Sequence, residues 1–592
     1  MPRWNVGELI APPRFTRRNW FAMLGPGLLM GGAAIGGGEW LVGPLVTAKY
    51  GGALLWLATV SILGQVLYNI EISRYTLYSG EPIFTGKFRT LPGPHFWLFV
   101  YLVLDFGSVF PYLVAAAATP IEVVLLGGEL PRPEEVVWHW WMHKSLSSLI
   151  LLLALIPLLF GGKIYNSLKA VMTFKIIVVL GFLAFLALFY SHPRTWTEIF
   201  SGFFKVGDVP VQRAEDLNGN NRLDPGEDWD GDGHLDVVEP RLPPSVDSDG
   251  DGNPDTWPQD DDGELIKFVD TDGDGFRDGD NVENIFVSLI TQGKFPDIDW
   301  TLIGFIAALA AIAGSGGLSN TPVSNYTRDQ GWGMGHHVGA IPSVVGGRDI
   351  SLSHVGTVFK VDEESLPRWR GWYRHVMRDQ LAVWAPACFV GIALPSMLSV
   401  QFLRRGTEAD NWTAAAMTAQ GVGEQVANPP SDVLASITGL SKWLSGTEWG
   451  NVCWAMTLFC GFLVLGPTMA AAADGIVRRW VDVFWTSSGR LRALDPHQIK
   501  QVYFRVLMGW AGFAMVMLWL NRPDQLLRYA TMIYNFALGF SCLHTLVLNT
   551  ILLPRELRPG WFVRIGLVAA AIFFTLLATV VMLKELGMLK SY

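Results

Sequence analysis

The stretch GGAAIGGGEWLVGP, residues 31–44, lies inside a long apolar segment and contains six glycines and one glutamate. Glycine weakens a helix because it loses more conformational freedom on folding than any other residue. A carboxylate in membrane hydrocarbon is costly, and irregular backbone is tolerated at that depth only where it lines a cavity or is buried in protein. The stretch therefore predicts a membrane helix that is broken at residues 36–38, with Glu39 in a polar cavity.

The rest of the chain has the composition of a multi-pass membrane protein. Of its 592 residues, 50% are hydrophobic and 16% are charged, against about 25% charged in globular domains. The apolar stretches long enough to cross a membrane lie near 20–48, 52–73, 95–124, 145–161, 166–190, 299–327, 379–400, 450–476, 501–521, 527–551 and 561–584. We therefore expect an all-α polytopic membrane protein with about eleven transmembrane helices. The four cysteines lie in or beside these stretches and are expected to be buried free thiols.

The distribution of basic residues predicts the orientation of these helices. With a cytoplasmic N-terminus, the inner segments hold 25 lysines and arginines, and the short outer segments hold ten. This bias satisfies the positive-inside rule, so we expect a plasma- or inner-membrane protein whose C-terminus lies outside. The expected parts are a cytoplasmic segment 1–19, helices one to five in 20–190, an extracytoplasmic insert in 191–298, helices six to ten in 299–551, and helix eleven with the C-terminus in 552–592.

The first and sixth apolar stretches share an unusual pattern. Residues 25–52, GPGLLMGGAAIGGGEWLVGPLVTAKYGG, and residues 302–331, LIGFIAALAAIAGSGGLSNTPVSNYTRDQG, each have an apolar half, a glycine cluster and a second half. Each opens a set of five helices, and because five is odd, the two sets insert with opposite orientation. This pattern predicts a 5+5 inverted repeat with broken helices one and six, whose breaks meet at a substrate site.

The residues at the two breaks are the candidate substrate ligands. The set comprises Gly36, Gly38, Glu39, Ser315, Gly316, Ser319, Asn320 and Thr321. A structural alternative for the first helix is close packing, since Gly27 and Gly31 have the small-xxx-small spacing that lets helices touch.

Four further ionisable residues lie in or beside the apolar stretches. Asp105 in helix three is a candidate proton relay, and Lys175 in helix five is expected to snorkel or to pair with it. Asp379 and Asp474 are near helix ends and are expected to face water. No nucleophile elbow, phosphate-binding loop or zinc spacing is present, so we expect no enzymatic activity.

The loop between helices five and six is an acidic module. Residues 205–283 hold 24 acidic and 6 basic residues, a charge of −18, so the rest of the chain carries +9. Four segments repeat the spacing of a calcium loop, in which oxygen ligands alternate around a turn glycine: residues 216–227, 228–239, 247–255 and 270–278. The candidate calcium ligands are Asp216, Asn218, Asn220, Asp224, Glu227, Asp228, Asp230, Asp232, His234 by its carbonyl, Asp236, Glu239, Asp247, Asp249, Asp251, Asp255, Asp270, Asp272, Asp274 and Asp278.

These repeats favour calcium as a cofactor of the insert. The alternative is a solvated acidic loop, the usual meaning of a charge run, but four repeats of one spacing argue against it. Prolines interrupt the segments and no amphipathic helices flank them, so the loops resemble those of dockerin and thrombospondin type 3 modules more than paired EF-hands. We expect calcium to order the insert, with regulation as the alternative role.

The membrane part resembles the Nramp divalent-metal transporters, which have the leucine-transporter fold of the amino acid–polyamine–organocation superfamily. The resemblance is carried by LLWLATVSILGQVLYNIEISRYTLYSGEPI (54–83), GGKIYNSLKAVMTFKIIVV (161–179) and the GPGLLM opening of helix one. The family has Asp-Pro-Gly-Asn at the first break, where this chain has residues 36–39. At the second break the family has a methionine followed by proline and histidine, and AGSGGLSNTP (313–322) offers neither methionine nor histidine.

The resemblance implies a secondary-active transporter that moves a divalent cation by alternating access, with protons as the candidate coupling ion. Carboxylate, hydroxyl, amide and carbonyl oxygens suit magnesium or manganese better than iron or zinc. The first alternative is a symporter of a small organic solute, such as an amino acid or amine, held by the N–H groups at the broken helix ends. The second is a calcium-binding membrane scaffold that transports nothing. The expected partners are the cation, calcium and the lipid bilayer, with no nucleic acid.

Overall fold

The computed structural model describes most of the chain. The residues outside the description are 15, 17–23, 37–39, 41, 161–162, 212–281, 292, 297, 299, 301–302, 344, 346–349, 404–413 and 590–592. Glu39, Gly38 and all the candidate calcium ligands of the insert therefore lie outside the described residues.

Helices dominate the described residues, and the strands are short. The elements before residue 191 are β1 (Asn5–Val6), α1 (Pro26–Ala34), α2 (Gly43–Tyr50), α3 (Trp56–Ser79), α4 (Ile83–Lys87), α5 (Pro94–Leu104), α6 (Tyr112–Leu125), α7 (Val137–Leu159) and α8 (Ile164–Phe189). The elements that flank the acidic module are α9 (Pro193–Gly202), β2 (Asp208–Pro210), β3 (Val282–Asn284) and α10 (Ile285–Thr291). Short 3-10 turns, residues 53–55 and 106–109, precede α3 and α6.

The second half of the chain is also mainly helical. Its elements are α11 (Ile303–Ile312), α12 (Pro322–Asp329), α13 (Gly335–Val338), β4 (Thr357–Val358), α14 (Ser365–Asp379), α15 (Ala385–Phe402), α16 (Ala414–Ala427), α17 (Leu434–Ile437), α18 (Ser441–Leu444), α19 (Thr447–Ser487), α20 (Gly489–Arg492), α21 (Ile499–Leu520), α22 (Pro523–Ile551) and α23 (Trp561–Glu585). A π-helical turn, residues 380–384, joins α14 to α15.

The helices confirm a multi-pass membrane fold. Each of the eleven apolar stretches contains helix, and eight helical segments of the described chain are long and apolar enough to cross a membrane. The four cysteines are buried and free, as expected. α19 is the clearest departure from the predicted boundaries, because it continues to Ser487, eleven residues beyond the predicted apolar stretch. Charged side chains ended that stretch in the sequence, but in the structure they are buried and paired, so the helix continues.

Both predicted helix breaks are present. α1 ends at Ala34, and the next residue, Ile35, has a non-helical ψ of 81°; regular α-helix resumes at Gly43. α11 ends at Ile312 and α12 begins at Pro322. The first and sixth membrane stretches are therefore interrupted helices and not continuous rods.

The bundle has two ends that can be told apart by their contacts. The side chain of Trp56, at the start of α3, donates to the carbonyl of Asp208 beside the insert; we call this the insert end. At the other end of α3, Glu81 accepts a hydrogen bond from Trp4 near the N-terminus; we call this the terminal end. Lys584, near the end of α23, donates to the carbonyl of Trp300, and the bridge between Val211 and Ile298 places that segment at the insert end.

The acidic module enters and leaves the membrane part at one place. β2 pairs with β3 in an antiparallel register that matches Asp208 with Asn284 and Pro210 with Val282. Paired residues of antiparallel strands lie about 5 Å apart. Residues 211–281 are therefore an insertion carried on a closed two-stranded stem.

Candidate functional site

The two helix breaks face one cavity in the middle of the bundle. The cavity has a volume of about 790 Å³, which includes space open to solvent. Its lining side chains and backbone come from helices one, three, six, eight and ten of the predicted series: Met30, Ala33, Ala34, Gly36, Ser108, Phe110, Tyr112, Leu113, Ile312, Gly314, Ser315, Ser319, Pro322, Thr468, Met469, Ala471, Ala472, Gly475, Ile476, Arg479 and Tyr534. Gly36, Ser315 and Ser319 of the candidate ligands therefore share one cavity.

The backbone at the second break requires glycine. Gly314, Gly316 and Gly317 have φ values of +109°, +49° and +56°, a region that side chains with a Cβ rarely adopt. A Cβ at Gly317 would also lie 2.7 Å from the ring of Tyr534. The unwound segment can therefore pass close to α22 only because these residues lack a side chain.

Gln65 of α3 satisfies the polar groups that this unwinding exposes. Its side-chain oxygen accepts from the backbone N–H of Ser315 at 3.1 Å and from the side chain of Asn320 at 2.9 Å. Its side-chain nitrogen donates to the carbonyl of Ala313 at 2.7 Å. Buried backbone groups without partners are costly, so Gln65 holds the break open at little cost. Gln65 carries no signal in the sequence, because its partners are about 250 residues away.

The remaining candidate ligands at the second break have different surroundings. The Ser315 hydroxyl is buried without a hydrogen-bond partner at the cavity wall, and the Asn320 side-chain oxygen is likewise unpartnered. The Thr321 hydroxyl donates to the carbonyl of Leu318 at 2.7 Å, and the carbonyl of Gly316 accepts from the N–H of Ser319. Of these oxygens, the unpartnered Ser315 hydroxyl belongs to a residue that lines the cavity.

At the first break, a buried lysine occupies the end of α1. The Lys175 ammonium is fully buried and donates to the carbonyl of Ile35, to the carbonyl of Val464 at 3.0 Å and to the hydroxyl of Thr468 at 2.5 Å. The Ile35 carbonyl is one that a helix end leaves without an intrahelical partner. Lys175 therefore ties the broken end of α1 to α19, beside Gly36 and the cavity.

Removing this tie has a predictable effect. Replacing Lys175 with methionine leaves the Ile35 carbonyl without its donor, at a cost of about 1–3 kcal/mol. We expect a lower unfolding temperature and weaker uptake in membrane vesicles, with Lys175→Gln, which keeps N–H donors, intermediate in both. The matched control is Ile177→Met on the exposed face of the same helix. A Lys175→Met protein as stable and as active as the control would contradict the role of the tie.

Asp105 pairs with Arg479, and not with Lys175, for which pairing with Asp105 was one of two expectations. The Arg479 guanidinium lies 2.9 Å and 2.7 Å from the two Asp105 oxygens and donates to the carbonyl of Leu318 at 2.8 Å. Trp480 donates to Asp105 at 2.7 Å. The sequence placed Arg479 in a cytoplasmic segment beyond the helix, because nothing local shows that its partner is 374 residues away. Arg479 lines the cavity, so it is a candidate functional residue that the sequence did not reveal.

Two methionines line the cavity, in addition to the residues with oxygen groups that the sequence predicted. The second break has no methionine, as the sequence shows, but Met30 of α1 and Met469 of α19 both face the cavity. Thioether sulfur is a soft ligand that favours transition metals over magnesium. Within the described part of the chain, no three His, Cys, Asp or Glu side chains come together as a metal site.

Two carboxylates near predicted helix ends, Asp379 and Asp474, are buried and have partners. Asp379 accepts from the backbone N–H groups of Gly25 and Gly27, at 3.0 Å and 2.6 Å. Asp474 pairs with Arg478 at 2.9 Å. Both carboxylates are buried, so the expectation that they face water was wrong. Asp379 accepts from N–H groups exposed at the start of α1, and neither partner set is visible from local sequence.

Comparison with solved structures identifies the fold. The structure matches a crystal structure of a histidine-to-alanine mutant of a manganese transporter from Eremococcus coleocola with a TM-score of 0.50 at 12% identity, covering 98% of this chain and 90% of that one. A glutamate-to-alanine mutant of that transporter matches with a TM-score of 0.49 at 12% identity over 98% and 90% of the chains. The transporter in complex with an aromatic bis-isothiourea substituted compound gives 0.47 at 13% identity over 96% and 88%.

Searches by sequence give a different result. No protein-family model matches the chain, and no curated protein matches it significantly. At this identity the likeness to the solved structures shows the fold alone. The chain is therefore a multi-pass membrane protein with the fold of that manganese transporter.

Proposed function

We propose that the protein is a secondary-active transporter that moves a divalent metal cation by alternating access through the central cavity. The observation that carries the proposal is the single cavity bounded by both helix breaks, Gly36 on one side and Ser315 and Ser319 on the other. In transporters built from inverted repeats, the substrate binds where the discontinuous helices meet. The fold shared with a manganese transporter supports the same reading.

The lining favours manganese as the cation. Ser315, Ser319 and Thr468 line the cavity together with Met30 and Met469. Oxygen ligands suit both manganese and magnesium, and the thioethers suit the softer of the two. The Arg479–Asp105 pair is neutral as a unit, so it does not by itself exclude a cation.

Arg479 also supports a second candidate, a symporter of a small organic solute that carries a carboxylate. A guanidinium at a cavity wall binds carboxylates bidentately, and most of the other lining residues are apolar, as in sites for small molecules. In this reading, some of the contacts between Asp105 and the Arg479 guanidinium break when the substrate carboxylate binds to Arg479.

Flux through the purified full-length protein in proteoliposomes tests the two candidates. We expect manganese influx, reported by a metal-sensitive dye trapped inside, to exceed magnesium influx. Uptake of amino acids without metal flux would show that the substrate is an organic solute and not a cation. Absence of every flux, together with calcium-dependent binding of another protein, would favour the membrane scaffold and defeat the transport proposal.

For the insert, we propose a calcium-ordered extracytoplasmic module, with the N-terminus in the cytoplasm. Four repeats of a calcium-loop spacing and a charge of −18 support the calcium, and the basic bias of the opposite segments supports the orientation. The closed stem of β2 and β3 supports a module that folds apart from the transport cavity.

Deleting the module tests this separation. Replacing residues 212–281 with Asn-Gly leaves three residues, Val211-Asn-Gly, between the paired Pro210 and Val282, a common length for a hairpin loop with glycine in the left-handed position. Because β2 and β3 are already paired, we expect folding and manganese uptake to survive while calcium binding, measured by calorimetry, disappears. Loss of uptake in a folded deletion variant would show that the insert takes part in transport, and retained calcium binding would place the calcium sites elsewhere.

A further inference from the structure

A lysine is buried outside the cavity, between three membrane helices at the terminal end. Lys87 closes the short helix α4, and its side chain is fully buried. Its ammonium donates to the hydroxyl of Ser541 and lies 3.4 Å from that of Tyr68. The rings of Tyr68 and Tyr101 flank it, with centroids 5.7 Å and 5.1 Å away. Among the described residues, no carboxylate contacts Lys87.

A buried histidine extends this group of polar side chains. His544, one turn after Ser541 on α22, has one ring nitrogen 2.9 Å from the Thr90 hydroxyl and the other 2.7 Å from the Tyr101 hydroxyl. The Thr90 hydroxyl donates to the backbone carbonyl of Lys87 at 2.7 Å. We call Tyr68, Lys87, Thr90, Tyr101, Ser541 and His544 the Lys87 cluster. Each of its side chains can exchange a proton through a hydrogen bond.

The surroundings of Lys87 disfavour its charged form. A buried ammonium without a carboxylate partner pays a desolvation cost that its neutral form avoids. Burial lowers the pKa of Lys87 to about 7; the nearby Cys542 acts in the opposite direction, and the positive charge of Arg479 lowers the pKa further. The titratable groups facing Lys87 are Tyr68 from α3, Tyr101 from α5, Cys542 and His544 from α22, and Arg479 from α19.

Side-chain contacts link the helix that carries Lys87 to the wall of the cavity. The ring of Trp480 packs against that of Phe84 on α4, with centroids 5.1 Å apart. Trp480 also donates to Asp105, the partner of Arg479. Arg479 also interacts electrostatically with Lys87, so a charge that appears on Lys87 acts on an ion pair at the cavity wall.

We propose that the Lys87 cluster is a proton-binding site of this protein, distinct from the cavity, in which the Lys87 amine takes up and releases the proton. Its part in transport rests on the proposed function, because a proton bound there adds a positive charge beside Arg479 and so biases the Arg479–Asp105 pair. The binding of the proton itself does not depend on what the protein transports.

The pH dependence of unfolding tests the proton site without any transport. An unfolded lysine keeps its proton up to a pH of about 10.4, whereas Lys87 in the folded protein releases it near pH 7. Between these values the unfolded state binds one more proton, so stability rises with pH across that window. Lys87→Met has no proton to exchange, so its unfolding temperature should exceed that of wild type most at pH 6 and progressively less towards pH 10.

Two further variants complete the experiment. Lys87→Gln, which can still donate to Ser541, should give the same difference curve and serves if the methionine variant folds poorly. Lys360→Met replaces an exposed lysine, and its difference from wild type should be flat. A flat difference for both Lys87 variants would overturn the proposal.

The role in coupling is measured separately. In proteoliposomes, the manganese influx of wild type should change as the pH at the terminal end crosses 7, and the Lys87→Gln variant should lack this step. An unchanged pH profile in Lys87→Gln would remove the site from coupling. A wild type that moves no manganese would defeat the proposed function and leave the unfolding result intact.

Discussion

Replacing Arg479 with methionine is expected to destabilise the protein more than any other single substitution considered. The guanidinium and Asp105 are 1% and 2% exposed. Removing one partner of a buried ion pair leaves an uncompensated charge and costs about 3–5 kcal/mol. The substitution also removes the donor to the Leu318 carbonyl in the second break. We expect a marked drop in unfolding temperature and in the yield of monodisperse protein.

A second substitution separates the ion pair from the arginine itself. Asp105→Asn combined with Arg479→Met removes both charges, and replacing a whole buried pair with neutral groups is often close to neutral. The double variant should therefore recover most of the lost unfolding temperature. Arg490→Met, at an exposed position, is the control and should be unchanged. A double variant as unstable as Arg479→Met would show that the lost contact with Leu318, and not the unpaired charge, dominates.

Replacing Glu39 with glutamine is expected to abolish manganese uptake. The described lining of the cavity contains no carboxylate, and a divalent cation bound by neutral oxygens alone is held weakly, because affinity depends on the number of charged ligands. Glu39 lies three residues after Gly36, which lines the cavity, and directly before Trp40, which is buried. We expect the initial rate of influx to fall by at least about a hundredfold, equivalent to about 2.8 kcal/mol.

The control for Glu39 removes a carboxylate far from the breaks. Glu129→Gln changes an exposed residue and should leave the rate unchanged. Both variants should unfold at temperatures close to wild type, which separates transport from folding. Undiminished manganese influx in Glu39→Gln would remove Glu39 from the cation site. A selective loss of organic-solute uptake would instead assign it to the symporter.

Local sequence was enough to predict the apolar helices and the helix breaks, because these depend on the hydrophobicity and backbone freedom of neighbouring residues. Runs of apolar side chains predicted stretches that each contain helix. The glycine clusters predicted both breaks, and at the second break Gly314, Gly316 and Gly317 adopt positive φ. The alternation of aspartate and glycine predicted calcium loops, which still await a test. In each case the physical cause lies within a few residues of its effect.

Only the tertiary structure decided which polar groups serve the cavity. Gln65, Lys175 and Arg479 act on carbonyls and carboxylates that are between 140 and 374 residues away. A buried charge or amide is tolerated only where packing supplies its partner, and packing is a property of the assembled helices. From the sequence alone, Asp379 and Asp474 were predicted to face water and Arg479 to lie in a loop. The folded bundle buries all three.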